Sequence, residues 1–448
     1  MKFNKDFTFG TATSSYQIEG AHSEGGRTPS IWDMFCEIPG KVHQQHNGDI
    51  ACDHYHRYEE DIQIIKELGV DSYRFSIAWP RVFPAKGQYN PEGMAFYKNL
   101  AMRLREEGIK PAVTLYHWDL PMWAHEEGGW VNRDSVDWFL DYATVCFREL
   151  DGLVDSWITH NEPWCAGFLG YHMGVHAPGH TNLDEAVRAV HHMLLSHGEA
   201  VHLLKNEFAS TTSIGITLNL SPVYPKTDSV NDRLAANNSD GYSNRWFLDP
   251  VFKGSYPVDM MNLFSKYVHN FDFIQEGDLQ KISIPCDFFG INFYSRGLVE
   301  FNAANDFMTQ GAHSDYEKTG MGWDIAPNEF KDLIRRLRDE YTDLPIYITE
   351  NGAAYDDKVE DGRVHDQKRI DYVEKHLQAV SDLNEEGMNI QGYYLWSLLD
   401  NFEWSFGYDK RFGIIYVNYE TQERIWKDSA LWYADIVKNR GSVLPLNA

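Results

Sequence analysis

The chain has 448 residues, of which 43% are hydrophobic, 24% are charged and 14% are aromatic, an ordinary balance for a globular protein with a large core. Its formal net charge of −26 at pH 7 disfavours nucleic acid and anionic membranes as partners, because such a surface repels phosphate groups. The many aromatic rings suit a wet cleft for a ring-shaped ligand, although most of them are expected in the core.

The five cysteines are odd in number and lack C-x-x-C spacing, which argues against a disulfide framework or a zinc site. The N-terminal residues lack the apolar segment of a signal peptide, and no apolar run reaches membrane-spanning length. We therefore expect a cytoplasmic protein without a metal or other cofactor. A signal peptide removed earlier remains an alternative, and the oligomeric state stays open, a homo-oligomer included.

Strand-like and helix-like segments alternate along the whole chain. Strands are predicted by short β-rich runs at 7–13, 70–77, 111–117, 154–159, 213–219, 288–294, 344–350 and 390–396. Helices are predicted by apolar residues at helical spacing at 55–68, 96–108, 136–150, 184–207, 233–247, 258–264, 328–339, 366–383 and 427–438. The segment 22–52 is expected to be irregular, and 297–322 is expected to be a variable loop.

Eight alternating β and α units predict an α/β fold with a single closed (β/α)8 TIM barrel. Long insertions in the βα-loops after strands one, five, six and eight account for the excess length. No Pro/Gly/Ser linker or low-complexity tract divides the chain, so we expect one domain over 1–448. Two open α/β domains of four strands each are the structural alternative.

Catalytic groups in such barrels lie at the carboxyl ends of the strands. At the predicted strand ends, polar and aromatic side chains are concentrated: Gln17, Arg74, His117, Trp118, His160, Asn161, Glu162, Asn292, Tyr294, Glu350 and Trp396. Two of these are carboxylates, Glu162 on strand four and Glu350 on strand seven. Strands three apart in a ring of eight place the two glutamates opposite each other across the mouth.

Two opposed carboxylates suit the cleavage of a glycosidic bond, in which one donates a proton and the other attacks while ionised. If Arg74 reaches Glu350, it favours the ionised form there, and Tyr294 can donate a hydrogen bond to the same group. Glu162 is then expected to be the proton donor. For one glutamate alone, a salt bridge at the barrel lip would be the simpler interpretation; two in strand-end Asn/Glu motifs favour catalysis.

Several of these motifs carry a family resemblance. Thr-His-Asn-Glu-Pro at 159–163 and Ile-Thr-Glu-Asn-Gly at 348–352 resemble the acid/base and nucleophile motifs of glycoside hydrolase family 1, the β-glucosidase family. The stretches 9–20, 73–81 and 116–121 resemble the same family, so the similarity runs nearly end to end. It implies a retaining mechanism through a covalent glycosyl-enzyme intermediate, with Glu350 as nucleophile and Glu162 as acid/base.

The resemblance also implies a sugar pocket. The residues that match hydrogen-bonding partners of the glycone hydroxyls are Gln17, His117, Asn161, Glu403 and Trp404. Trp396 matches the platform under the sugar ring, and Trp323 with the 297–322 segment is expected on the aglycone side. Trp164, Cys165 and Leu169 either face that side as well or simply pack in the core. Without these matches, core packing would be the preferred interpretation of Trp396 and Trp404.

Glu403 bears on the substrate, because the 6-phospho-β-glycosidases of this family have a serine at the matching position. A carboxylate there would repel a phosphate and accept neutral hydroxyls, which indicates a non-phosphorylated β-glucoside such as cellobiose or an aryl β-glucoside, and a role in cellulose degradation. A β-galactosidase or β-fucosidase of broad specificity is one alternative. A non-catalytic sugar-binding module is another, but it predicts loss of a glutamate, and both are present.

Overall fold

The computed structural model describes residues 1–441 and shows eight parallel strands that close into a barrel. In chain order the barrel strands β1 to β8 are Thr8–Ala12, Ser72–Ser76, Lys110–Tyr116, Ser156–Asn161, Ser213–Asn219, Phe288–Asn292, Ile346–Asn351 and Ile390–Trp396. Each strand pairs with its chain neighbours, and β8 closes the ring against β1, with Thr8 beside Gly392 and Ala12 beside Trp396. The predicted (β/α)8 barrel is confirmed, and the two-domain alternative is wrong because one ring contains all eight strands.

Helices surround the barrel in the expected alternation. Those of seven or more residues are Ile31–Glu37, His54–Leu68, Pro91–Glu106, Ser135–Glu149, Cys165–His172, Leu183–His202, Val230–Asp240, Trp246–Lys253, Val258–Phe264, Pro327–Glu340, Gln367–Glu385 and Asp428–Asn439. Shorter helical segments are Ser15–Ile18, His43–Gln45, Trp79–Val82, Met122–Glu126, Gly129–Val131, Leu203–Glu207, Gly241–Arg245, Asp278–Ile282, Asp306–Met308 and Trp404–Phe406. Within residues 1–441, none of the helices combines the length and the apolar character needed to cross a membrane.

The segment 22–52 differs from the prediction, since it contains the helix Ile31–Glu37. Ser30 caps this helix by accepting a hydrogen bond from the Trp32 backbone, and the Asp33 side chain accepts one from the Ser30 backbone at 2.6 Å. This reciprocal capping box supplies hydrogen-bond acceptors for two backbone N–H groups that have no partner within the first turn of the helix. The expectation of an irregular segment overlooked this local signal.

The insertions after β5, β6 and β8 form walls above the carboxyl ends of the strands. The segment 297–322 is not simply a loop, because its strands Gly297–Phe301 and Thr309–Gly311 pair antiparallel. The strand Val223–Pro225, from the insertion after β5, adds to the same sheet in parallel. After β8, Ile415–Val417 and Arg424–Trp426 form a two-stranded antiparallel sheet. One side of the mouth is therefore built from paired strands.

A buried ion network ties the segments after β7 and β8 to the start of the last helix. The Lys427 ammonium donates to Asp400 Oδ1 at 2.7 Å and also contacts Asp357. Arg369 donates to Asp357 Oδ2 at 2.7 Å, and Arg411 donates to Asp400 Oδ2 at 2.7 Å. Because buried charges are tolerated only when they are paired, this network holds the β8 segment in one place.

Three histidines of the segment 22–56 make ordinary side-chain hydrogen bonds. His54 Nδ1 lies 2.7 Å from Asp61, His56 Nδ1 lies 2.6 Å from Asp53, and His46 Nδ1 accepts from the Tyr408 backbone at 3.1 Å. In the described part of the chain, no group of three or more His, Cys, Asp or Glu side chains is arranged to hold a metal ion.

The close approach of β7 and β8 at the mouth gives a test of the packing. A Cβ on Gly352 would lie 1.7 Å from the Trp396 carbonyl oxygen. We expect Gly352→Ala to lower the apparent Tm by several degrees, because overpacking costs about 1–3 kcal/mol. Thermal unfolding followed by circular dichroism measures this. Gly311→Ala is the matched control, since a Cβ there meets nothing within 4 Å, and an equal loss in both variants would contradict the packing argument.

Candidate active site

The carboxyl ends of the barrel strands open into a cavity of about 580 Å³. Ten of the predicted site residues line it: His117, Trp118, Glu162, Asn292, Tyr294, Trp323, Glu350, Trp396, Glu403 and Trp404. Arg74, Asn161 and Gln17 are fully buried behind the lining and act on it through hydrogen bonds. The structure therefore brings together side chains from six strand ends and two loops.

Glu350 lies near the end of β7, where it pairs in register with Asn292 of β6. The Arg74 guanidinium donates from Nη1 to Glu350 Oε1 at 2.7 Å, and the Tyr294 hydroxyl donates to Oε2 at 2.6 Å. Both oxygens of this buried carboxyl group thus have a strong donor. Such an environment favours the ionised form.

Glu162 follows directly after β4 and adopts a left-handed backbone conformation, with φ 51°. Its backbone N–H donates to the Thr217 carbonyl of β5 at 2.9 Å, and its Oε1 accepts from Asn292 Nδ2 at 2.7 Å. A left-handed conformation at a residue other than glycine costs about 1–3 kcal/mol and persists only where its surroundings enforce it. This backbone conformation directs the Glu162 side chain into the cavity.

The two carboxyl groups occupy different electrostatic environments. Burial, and next the negative charge of Glu350, raise the pKa of Glu162 to about 7. Burial also raises the pKa of Glu350, but Arg74 and the Tyr294 hydroxyl act in the opposite direction. Glu350 therefore ionises first, and its charge helps Glu162 to keep a proton near neutral pH.

A chain of hydrogen bonds behind the cavity orients His117. Arg74 donates from Nη2 to Asn161 Oδ1 at 2.6 Å, and Asn161 Nδ2 donates to His117 Nε2 at 3.1 Å. Burial, with a smaller contribution from Arg74, holds the pKa of His117 well below its usual value. The imidazole is therefore neutral, and its proton sits on Nδ1, which has no hydrogen-bond partner among residues 1–441.

Glu403 presents an unused oxygen to the cavity. Its Oε2 is buried without a hydrogen-bond partner in the described structure, and burial together with the charges of Glu350 and Glu162 raises its pKa to about 8. Gln17 supports the preceding backbone, since its Nε2 donates to the Phe402 carbonyl at 2.8 Å and to Asn401 at 3.0 Å. Gln17 thus bonds to protein groups here and does not line the cavity.

Aromatic rings form the floor and one wall. His117 stacks between two tryptophans, with ring centroids 5.9 Å from Trp396 and 6.0 Å from Trp404 and interplanar angles of 16° and 17°. Trp118 packs on Trp404 at 4.5 Å and donates from Nε1 to the Asn161 carbonyl at 2.8 Å. Flat apolar faces beside unused polar atoms suit a sugar ring.

Other lining residues were missed or left open by the sequence analysis. Trp164, Cys165 and Leu169 line the cavity, which was one of the two alternatives left open for them. The lining residues that the sequence analysis missed include His176, Asn219, Arg296, Met321, Asp324, Phe406 and Phe412. Most of the missed residues lie in insertions away from strand ends, so the strand-end rule could not find them. The position of Asn219 at the end of the predicted fifth strand was a signal that was overlooked.

Comparison with known sequences identifies close relatives. The model of the family "Glycosyl hydrolase family 1" matches residues 1–442. "Beta-glucosidase A" of Acetivibrio thermocellus is 47% identical, covering 98% of this chain and 99% of the relative. "Beta-glucosidase A" of Thermotoga maritima is 44% identical over 98% of each chain, and the "Bifunctional beta-D-glucosidase/beta-D-fucosidase" of Bifidobacterium breve is 43% identical over 99% of each.

Solved structures show the same fold over the full length. The GH1 β-glucosidase from Exiguobacterium antarcticum B7 matches with a TM-score of 0.98 and 79% identity, covering 99% of this chain and 100% of that one. A β-glucosidase from Exiguobacterium marinum matches with a TM-score of 0.98, 82% identity and the same coverage. The Thermotoga maritima β-glucosidase in complex with deoxynojirimycin matches with a TM-score of 0.95, 44% identity and coverage of 99% and 100%.

Proposed function

This chain belongs to glycosyl hydrolase family 1 and is a glycosidase of the β-glucosidase kind, and from that premise we propose its substrate, catalytic residues and mechanism. The enzyme removes terminal non-reducing β-D-glucosyl residues from cellobiose, short β-glucosides and aryl β-glucosides with retention of configuration. The observation that carries the proposal is the unequal pair of carboxyl groups: Glu350 bonded to Arg74 and Tyr294, and Glu162 with a raised pKa.

In the first step, ionised Glu350 attacks the anomeric carbon and forms a covalent ester as the bond to the leaving oxygen breaks. Glu162 gives its proton to that oxygen, so the aglycone departs as a neutral alcohol. The raised pKa of Glu162 supports this role, since the group holds a proton near neutral pH. Retaining enzymes hold the two carboxyl groups about 5–5.5 Å apart, which we expect here.

In the second step, Glu162 takes a proton from a water molecule that attacks the same carbon from the side the aglycone left. The ester bond to Glu350 breaks, glucose leaves, and Glu162 regains its proton. Two inversions give net retention. Asn292 supports both steps by donating to Glu162 and by pairing with Glu350 in the sheet.

The glucose unit binds over Trp396, with its hydroxyls directed at groups that need partners. The Nδ1–H of His117 and the unused Oε2 of Glu403 supply a donor and an acceptor. Sites built to bond substrate hydroxyls discriminate strongly, because their buried polar groups are otherwise unpaired. On the same side of the pocket, Asn161 positions His117 through a hydrogen bond, and Trp404 positions Trp118 by packing against it.

A β-fucosidase or β-galactosidase activity is a second candidate on the same site. The relative from Bifidobacterium breve is named for both a β-D-glucosidase and a β-D-fucosidase activity. We propose glucosides as the preferred class, because Glu403 is available for the 6-hydroxyl group that fucosides lack. A non-catalytic module is excluded by membership in a family of hydrolases. A cytoplasmic location, a role in cellulose degradation, one domain over 1–448 and homo-oligomer formation remain predictions from the sequence.

Removal of the nucleophile tests the mechanism directly. We expect Glu350→Ala to lower kcat for an aryl β-glucoside by about 10⁴-fold or more, because no group remains to form the covalent intermediate. Azide should restore turnover by attacking from the vacated side, giving an α-glucosyl azide identified by NMR. Glu340→Ala, a surface glutamate on a helix, is the control. Unchanged activity in Glu350→Ala would sink the assignment.

The raised pKa of Glu162 predicts a pH dependence. A proton donor with a pKa of about 7 is active below that pH, so kcat/KM should decline as the pH rises through it. In Glu162→Ala this decline should disappear, and substrates with poor leaving groups should slow far more than those with good ones. Profiles of kcat/KM from pH 4 to 9 for both substrate types measure this. Equal slowing of both would contradict the acid role.

The position of Glu403 predicts the order of substrates. We expect kcat/KM for an aryl 6-phospho-β-glucoside to be about 10²-fold below that for the neutral β-glucoside, because a phosphate bound beside Glu403 would face the negative charge of Glu350 and any charge on Glu403, and juxtaposed like charges cost several kcal/mol. The β-galactoside and β-fucoside should fall between. Glu403→Ser should raise the ratio of phosphorylated to neutral substrate. A preference of the unaltered enzyme for the phosphorylated sugar would overturn the proposal.

A further inference from the structure

Asp324 lies in the cavity wall directly after Trp323, and its carboxylate is paired with two cations. Its Oδ2 accepts from Arg296 Nε at 3.0 Å and from the Ser314 hydroxyl at 2.6 Å. Its Oδ1 accepts from the Lys318 ammonium at 2.5 Å. The exposed fraction of Asp324 is only 6%, so this is a wall contact and not a pair on the open surface.

The loop that carries Asp324 is attached to the segment that follows the predicted nucleophile. The Thr319 backbone donates to the Trp323 carbonyl at 2.9 Å, which closes a tight turn. At its tip, the Gly320 backbone donates to the Ala354 carbonyl at 2.8 Å, four residues after Glu350. The insertion after β6 and the end of β7 are therefore joined at this point.

Trp323 connects this loop to the reacting groups. Its ring lies 5.5 Å from the Tyr294 ring and 6.2 Å from the Phe412 ring, measured between centroids. Tyr294 in turn donates to Glu350 at 2.6 Å. Trp323 belongs to the β6 insertion, which is expected to form the side of the cavity that holds the leaving group.

We infer that Asp324 is a positioning residue for the aglycone: through Arg296, Ser314 and Lys318 it holds Trp323 against Tyr294 as the wall on which the leaving group rests. The inference depends on the proposed β-glucosidase reaction at this site. Arg296 is further fixed by its guanidinium carbon 3.6 Å above the Tyr316 ring. The side chains of Arg296 and Asp324 are 11% and 7% exposed, so solvent screens their pair only weakly.

Loss of the Asp324 charge would have two separate effects. The loop would lose its central acceptor, so Trp323 would no longer be held in one orientation. Arg296 and Lys318 would also be left as cations in the wall; among the described residues, Glu329 would be the one acidic group still close to Arg296, at 3.5 Å. A residue with a purely structural role would lower stability and slow all substrates alike, without changing the preference for charge.

The two reaction steps separate these possibilities, because the aglycone is present only in the first. In Asp324→Asn we expect kcat/KM for cellobiose to fall about tenfold, since misplacement of a bound group slows the reaction. For 2,4-dinitrophenyl β-glucoside, whose leaving group departs readily, we expect the second step to limit turnover, so kcat should fall less than twofold. Asp315→Asn is the matched control, because Asp315 belongs to the same loop and its side chain is 97% exposed.

A second measurement reads the charge. In Asp324→Asn the ratio of kcat/KM for 4-carboxyphenyl β-glucoside over its methyl ester should rise about tenfold, because the unpaired cations attract the anion. Lys318→Gln removes one arm of the cluster instead. It should reduce cellobiose cleavage several-fold without raising that ratio, and it gives an independent test if the Asp324 variant does not fold.

The outcomes distinguish this inference from the proposed function. If the unaltered enzyme does not cleave β-glucosides, the proposed function fails before any variant is compared. If it does, an equal loss of kcat/KM for cellobiose and kcat for the dinitrophenyl substrate in Asp324→Asn overturns the positioning role. An unchanged preference for the carboxylated aglycone in Asp324→Asn, or a raised one in Lys318→Gln, would also overturn it.

Discussion

The arrangement of the site depends on a single buried cation, Arg74. Its guanidinium donates to Glu350 and to the Thr349 carbonyl of β7, to Asn161 of β4 and to Thr114 of β3. A charge removed from water is tolerated only when its donors are nearly all paired, and here the partners come from strands on opposite sides of the ring. Because β2 and β7 are not neighbours in the sheet, the bonds to Glu350 and to the Thr349 carbonyl form only when the barrel has closed. The electrostatics of the barrel mouth and the closure of the barrel therefore depend on the same hydrogen bonds of Arg74.

The difference between the two carboxyl groups follows from that constraint. Arg74 compensates the charge on Glu350 and, through Asn161, orients His117. Glu162 has no ion pair among residues 1–441; its Oε1 accepts from the neutral amide of Asn292, and burial together with the charge of Glu350 lets it retain its proton. Burial and the same charge also raise the pKa of Glu403. One fixed positive charge therefore sets the order in which the two carboxyl groups ionise.

Local sequence signals predicted most of the fold and the inner half of the site. The strands at 213–219 and 390–396 match their predicted ends, because buried strands alternate with turn residues that mark both limits. The place of strand-end residues such as Glu350 and His117 in the site follows from the barrel geometry alone. The outer half of the site, which is built from loops, could not be predicted from local sequence signals. Asp324, Phe406 and His176 reach the cavity through loops whose paths are set by ion pairs and hydrogen bonds between distant segments. Such pairings leave no periodic trace in the sequence.

The buried ion network around Lys427 has a consequence for how the protein is made. Asp357 and Asp400 come from segments that leave the ribosome well before Lys427, which lies at the start of the last helix. Until that lysine emerges, the carboxylates of Asp357 and Asp400 each lack one of their cationic partners, so the segment after β8 lacks part of the network that fixes it. During synthesis the mouth of the barrel therefore stays incomplete until Lys427 has followed both aspartates out of the ribosome.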